Sequence, residues 1–196
     1  MTGDRDIHVA GLQRRFRVGS EEVHAIQDVS ITIPAGQLTV VKGRSGSGKT
    51  TMLNILGLLD RPTRGTIHYG GIDVVRLSDH ERDRFRRSEI GFVYQTIALV
   101  ALMSAYENVD FRMRVAGLPA SDREERVLEC LSLVGLEKRM SHRPFEMSGG
   151  EQQRVAIARA IAHRPRVVFA DEPTAELDTM TAVHIVAIFK RLIEEE

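Results

Sequence analysis

The segment Gly43-Arg44-Ser45-Gly46-Ser47-Gly48-Lys49-Thr50-Thr51 constrains this chain more than any other, because it demands one local fold around one kind of ligand. Three glycines in six residues let backbone N–H groups close around an anion, and a helix starting at Lys49 adds its positive end at the same point. The pattern Gly-x4-Gly-Lys-Thr is that of a phosphate-binding loop. In such a loop Lys49 reaches the outer phosphates, Thr50 holds Mg2+, and Arg44, Ser45, Ser47 and Thr51 complete the contacts to a nucleotide. A glycine-rich turn without a ligand would need neither the lysine nor the threonine. The lysine carries extra weight because only four of the 27 basic residues are Lys (Lys42, Lys49, Lys138 and Lys190), the other 23 being Arg. The flanks agree: apolar residues 38–41 predict a short buried strand entering the loop, and Met52, Leu53, Ile55 and Leu56 predict a helix leaving it.

Around this unit the chain reads as α/β. Residues 7–33 alternate apolar and polar types and stop at Pro34-Ala35-Gly36, which predicts an antiparallel β-subdomain. Further strands are expected at residues 66–69, 90–94 and 167–170. Residues 78–88 predict a charged helix whose Arg82, Arg84, Arg86 and Arg87, mixed with Glu81 and Asp83, form a solvated face. Between residues 104 and 137 the apolar spacing is helical, broken at Gly117-Leu118-Pro119, so an inserted helical subdomain is expected over about 96–150. A periodic helix opens at Ser148-Gly149-Gly150 and ends before Pro165, and an amphipathic one occupies the last residues from 179. Strands alternating with helices imply a mostly parallel sheet covered on both faces.

Composition argues against several classes, although a local basic patch could still meet nucleic acid. Twenty-seven basic residues balance 27 acidic ones, so no basic excess points to nucleic acid. Cys130 is the sole cysteine; it can form no internal disulfide or thiol metal site and suits a small core position. The start has no apolar core of signal-peptide length, and no apolar run reaches the roughly 18 to 20 residues of a membrane span, so the chain is expected to be neither secreted nor membrane-spanning.

Asp171-Glu172 follow the apolar strand expected at 167–170, and ligands of parallel sheets gather outside the carboxyl ends of their strands. Asp171 is therefore a candidate for the Mg2+ shell and Glu172 for polarising an attacking water. Taken alone, the pair is equally an acidic turn at a strand end.

The run Met147-Ser148-Gly149-Gly150-Glu151-Gln152-Gln153-Arg154 resembles the signature of ATP-binding cassette (ABC) transporter ATP-binding subunits, with Met for the usual Leu and Glu for the usual Gln at the fifth place. The resemblance implies a phosphate-loop NTPase core, bound ATP and Mg2+, and catalysis by Glu172. It also implies that Ser148, Gly149, Gly150 and Glu151 contact the γ-phosphate of an ATP held by a second protomer. Gln95 resembles the glutamine that touches Mg2+ and water. Phe16 sits where an aromatic stacks on adenine, or is simply core. Leu177-Asp178 resembles the loop crossing the dimer interface, although Ala175-Glu176 replaces the usual Gly-Asn before it. Residues 21–26 and 56–63 resemble the branch serving lipoprotein release, macrolide export and antimicrobial-peptide resistance. Such subunits form homodimers or paired dimers, bind no nucleic acid, and sit in the cytoplasm at the inner face of the cell membrane through a separate permease. Residues 99–106 are the expected permease contact.

The resemblance spans nearly all of residues 1–196, read as one ATP-binding domain. The family's next strand, which delivers a histidine to the γ-phosphate, has no counterpart before Glu194-Glu195-Glu196. His184, mid-helix and only twelve residues after Glu172, is no substitute. Either the chain is a fragment, or its hydrolysis is impaired and it acts as a nucleotide-gated switch. The soluble ABC ATPases of DNA repair and translation need zinc modules, coiled-coil arms or a second cassette, which 196 residues do not hold.

Overall fold

Apolar residues alternating with polar ones over residues 7–33 commit the chain to strands before any helix appears. In the computed structural model, which describes residues 5–175 and 177–195, β1 (Ile7–Val18) and β2 (Glu21–Ile33) form an antiparallel hairpin. β1 also pairs with β3 (Arg64–Tyr69), and β3 with the short β4 (Ile72–Asp73), giving a four-stranded sheet of order β2-β1-β3-β4. Ile7, Val9 and Leu12 of β1 are buried, and the slip from alternate positions after Val9 coincides with a register irregularity against β2. β2 buries only Ile26, while Val23 and Ile31 stay exposed. Helix α1 (Lys49–Leu56) adds Ile55 and Leu56 to this core, and the fully buried Tyr69 donates its hydroxyl to Leu56 O at 2.6 Å.

The chain divides into two compact units, residues up to Arg84 and residues from Phe85 onward. The division falls within α2 (Asp79–Glu89). In the second unit β5 (Ile90–Val93) and β6 (Val167–Ala170) pair in parallel, and they are the parallel strands among the described residues. Helices α3 (Ala105–Ala116), α4 (Ala120–Leu133), α5 (Gly149–Ile161) and α6 (Thr179–Glu195) share one apolar core with them, built on Val109, Met113, Leu131, Val155, Ile157 and Ile185. Cys130 lies in that core at 1% exposure, as its setting among apolar residues predicts. The break at Gly117-Leu118-Pro119 is real: Gly117, at φ 84°, closes α3, and Pro119 precedes α4.

Two expectations are overturned. Residues 38–41 are not a strand; Leu38, Val40 and Val41 are 47%, 63% and 40% exposed. An apolar run becomes a strand only where a neighbour completes its ladder, and none of the described strands pairs with it. Arg82 is not on a solvated face. It is 4% exposed and donates to Leu58 O at 3.0 Å and Asp60 O at 2.8 Å, carbonyls just past the end of α1 that a helix terminus leaves in need of donors. Charge periodicity located the helix; it could not show which arginine turned inward beside Phe85.

Glu176 and Glu196, named above, lie outside the described residues, as do the side chains of Glu194 and Glu195.

Candidate functional site

The loop at 43–48 is shaped by positions that favour glycine. Gly46 and Gly48 have φ of 76° and 89°. At Gly48, which precedes α1, a Cβ would also lie 2.4 Å from Ala25 O, a backbone atom with no freedom to retreat. At Gly43 a Cβ would lie 2.5 Å from Ser47 Oγ. Ser47 N donates to Arg44 O at 3.2 Å, and the Lys49 ammonium folds over the loop to Gly43 O at 3.1 Å and Arg44 O at 3.2 Å. The first turn of α1 carries no acidic residue, so nothing opposes an anion at the N–H groups of Lys49, Thr50 and Thr51. A cavity of about 430 Å³ opens beside the loop, lined by His24, Gln27, Lys42, Gly46, Lys49 and Met52 among others.

Phe16, half-buried on β1, is covered on one ring face by the Arg14 guanidinium, whose carbon lies 4.3 Å from the ring centroid. Arg14 is held there by a two-point ion pair to Asp60, with contacts of 2.8 and 2.9 Å. Phe16 is thus no buried core residue but a ring presented by a strand.

In the second unit the parallel register does the assembling. Val93 pairs with Ala170, so the residues one and two steps beyond each strand, Tyr94 with Asp171 and Gln95 with Glu172, emerge at one sheet edge. Gln95 Nε2 lies 3.5 Å from Glu172 Oε2. Both side chains are exposed, whereas Asp171 is buried at 7% exposure with its backbone N–H on Val93 O at 2.9 Å. Glu172 has φ 45°, a left-handed conformation that non-glycine residues adopt at a cost, of the sort that gathers at working sites.

Ser148 caps α5. Its hydroxyl accepts from Glu151 N at 3.2 Å, while its own N–H donates to Glu151 Oε2 at 2.8 Å. Space around a Cβ at Gly149 is open; at Gly150 it would lie 2.7 Å from Thr181 Cγ2. Thr181 is fixed in turn by Asp178, which accepts from its N–H at 3.0 Å and its hydroxyl at 2.6 Å. Those bonds hold the Asp178 carboxyl below its ordinary range. His184 is exposed on α6.

The residues after Gln95 are pinned by groups the sequence reading passed over. Arg159 donates to Ala98 O at 2.6 Å. Asn108, fully buried, accepts from Val100 N at 2.9 Å and donates to the carbonyls of Val100, Met103 and Ser104 at 3.0 to 3.2 Å. An amide side chain beside apolar Val109 was the available signal. Between the pinned points Val100 and Leu102 stand 37% and 80% exposed.

Among the described residues no group of three or more His, Cys, Asp and Glu could hold a metal by itself, and no helix is long and apolar enough to cross a membrane.

The model of the ABC transporter family matches residues 26–175. The lipoprotein-releasing system ATP-binding protein LolD of Nitrobacter hamburgensis is 44% identical over 188 residues, 96% of this chain and 81% of that protein. The macrolide export ATP-binding/permease protein MacB of Syntrophobacter fumaroxidans is 42% identical over 192 residues, 97% of this chain but 27% of that protein. A dimeric structure of the ATP-binding cassette MJ0796 in a post-hydrolysis state, bound to ADP and Pi, superposes with a TM-score of 0.87 at 39% identity, covering 96% of this chain and 83% of that one.

Proposed function

The chain belongs to the ABC transporter family of ATP-binding ATPases, and from that premise we propose that it works as a head-to-tail dimer, hydrolysing ATP to drive a separate membrane permease of the lipoprotein-release or export type. The observation that carries the catalytic part is the β5–β6 register, which brings Gln95 and Glu172 to one edge.

In this reading the N–H groups of residues 46–51 and the Lys49 ammonium take the phosphates, with Gly43, Arg44 and Ser45 shaping the loop and Phe16 stacking on adenine. The Thr50 hydroxyl, the Gln95 amide oxygen and the Asp171 carboxylate, hard oxygen donors of the kind Mg2+ takes, are the residues that would hold the ion. When bound, the ion neutralises charge on the phosphates. Glu172 accepts hydrogen bonds from the attacking water and orients it; Gln95 holds that water from the other side. Ser148, Gly149, Gly150 and Glu151 of a second copy close over the γ-phosphate, their helix end stabilising the charge. Asp178 crosses the interface between copies. The dimeric state of MJ0796 supports that arrangement, and the names of the LolD and MacB relatives support a permease partner. Val100 and Leu102, exposed on the pinned segment, are the proposed permease contact, and the membrane partner implied by the LolD and MacB names supports a position at the inner face of the cell membrane.

The test is Glu172→Gln. ATP affinity is retained and the protein collects as an ATP-bound dimer with turnover reduced at least a hundredfold. Turnover at the parent rate, or ATP-bound protein that stays monomeric by light scattering, overturns the reading.

A further inference from the structure

An acidic residue at the fifth place of the signature is electrostatically awkward. Glu151 sits in the first turn of α5, the helix end that the proposed function turns toward a phosphate, and a carboxylate there repels the anion that the helix attracts. Its charge is real at neutral pH, because the Ser148 backbone N–H above all, helped by the Ser148 hydroxyl and Arg139, holds its carboxyl below the ordinary range.

The structure supplies a counter-charge. The Nε of Arg139, in the short 3-10 helix Glu137–Arg139, donates to Glu151 Oε1 at 3.0 Å, while Oε2 is occupied by Ser148 N at 2.8 Å. Each carboxylate oxygen thus has its own donor. Arg139 is steadied by His142, whose Nε2 lies 3.1 Å from Arg139 Nη1. Glu151 is 19% exposed at its side chain against 49% for Arg139, so the arginine lies on the solvent side of the pair. The Gly149 surface next to it is open.

We infer that Arg139 is a positioning residue for the phosphate contact made between copies: it neutralises Glu151 and holds its carboxylate against the Ser148 backbone, so that a signature with an acidic fifth residue still presents Ser148 and Gly149 to an anion. With glutamine at position 151 there is no charge to offset, and Arg139 becomes dispensable. The inference rests on the trans-signature reading given above, and it adds a residue that the signature itself does not contain.

The experiment is a double-mutant cycle of Arg139→Gln and Glu151→Gln in the full chain, read as kcat, as KM for ATP, and as the ATP concentration giving half-maximal dimer. Arg139→Gln raises KM and the dimerisation midpoint on the order of tenfold, with the smaller change in kcat, and the effect grows as salt is lowered. In the Glu151→Gln background the same substitution changes either midpoint less than about twofold. Arg139→Lys, which keeps the charge, retains most of the parent efficiency. Equal losses from Arg139→Gln in both backgrounds, or an Arg139→Lys loss matching that of Arg139→Gln, assign Arg139 a merely structural role and overturn the inference. Ser148→Arg separates the two levels: parent-like turnover in that variant overturns the trans-signature reading itself, whereas an inactive Ser148→Arg with an additive cycle overturns only the role of Arg139.

Discussion

Replacing Gly48 by Ala tests whether the phosphate loop owes its shape to backbone geometry alone or also to contact with the strand beneath it. Alanine at φ 89° pays a left-handed penalty of about 1–2 kcal/mol. Its Cβ would also stand 2.4 Å from Ala25 O, a backbone clash whose relief costs roughly 1–3 kcal/mol more. The sum, about 2–5 kcal/mol, corresponds to a melting temperature lower by roughly 4–20 °C in a chain of this size. Gly46 provides the control. Its φ is 76°, but nothing lies within 4 Å of the Cβ it would gain, so Gly46→Ala suffers the conformational penalty alone. Differential scanning calorimetry of both variants without nucleotide isolates the contact as the difference between them. Moving Ala25 away also displaces the start of α1, so Gly48→Ala loses ATP affinity on the order of tenfold or more by isothermal titration. Equal stability losses for the two variants, or a Gly48→Ala protein as stable as the parent, refute the close-approach argument.

Two other outcomes follow from a buried arginine and a buried histidine outside the loop. Arg82→Ala removes a buried guanidinium from the Leu58 and Asp60 carbonyls and lowers the unfolding free energy by about 2–4 kcal/mol in urea titrations; a change below 0.5 kcal/mol returns Arg82 to a solvated face. His163 is buried, with Arg112 Nη2 2.7 Å from its Nε2, and burial first, then the Arg112 charge, pushes its pKa down from 6.5 to about 4. The unfolded chain therefore binds this proton at a higher pH than the folded one. The stability that neutral His163 contributes is complete above pH 6.5 and is lost as the pH falls toward 4, up to about 3 kcal/mol. His163→Gln flattens that part of the stability–pH curve, and an unchanged slope between pH 6.5 and 4 removes His163 from the account.

What the sequence disclosed, and what it withheld, divides along a physical line. Local patterns were legible. The loop glycines, the Ser148 cap and the Gly117-Leu118-Pro119 break each encode their conformation within a few residues, and the structure reproduces them. The juxtaposition of Gln95 with Glu172 was legible only as chemistry, since 77 residues separate them and a strand register joins them. Residues 38–41 failed because a strand is a property of pairs, and hydropathy describes one partner at a time. Arg82 was misjudged, and Arg139 and Asn108 passed over, for a related reason: a charged or amide side chain looks solvent-seeking until the carbonyls or carboxylate that receive it are known.

The central claim is that each working site joins the phosphate loop of one copy to residues 148–151 of another, and complementation between two inactive variants tests it most directly. Lys49→Ala has no working loop, and Ser148→Arg has no working signature. A dimer containing one of each has one site with both faults and one with neither. The account predicts that each variant alone stays at background ATP hydrolysis and that mixing them restores turnover. Turnover that stays at background in the mixture, while both variants still pair with the parent chain, contradicts it.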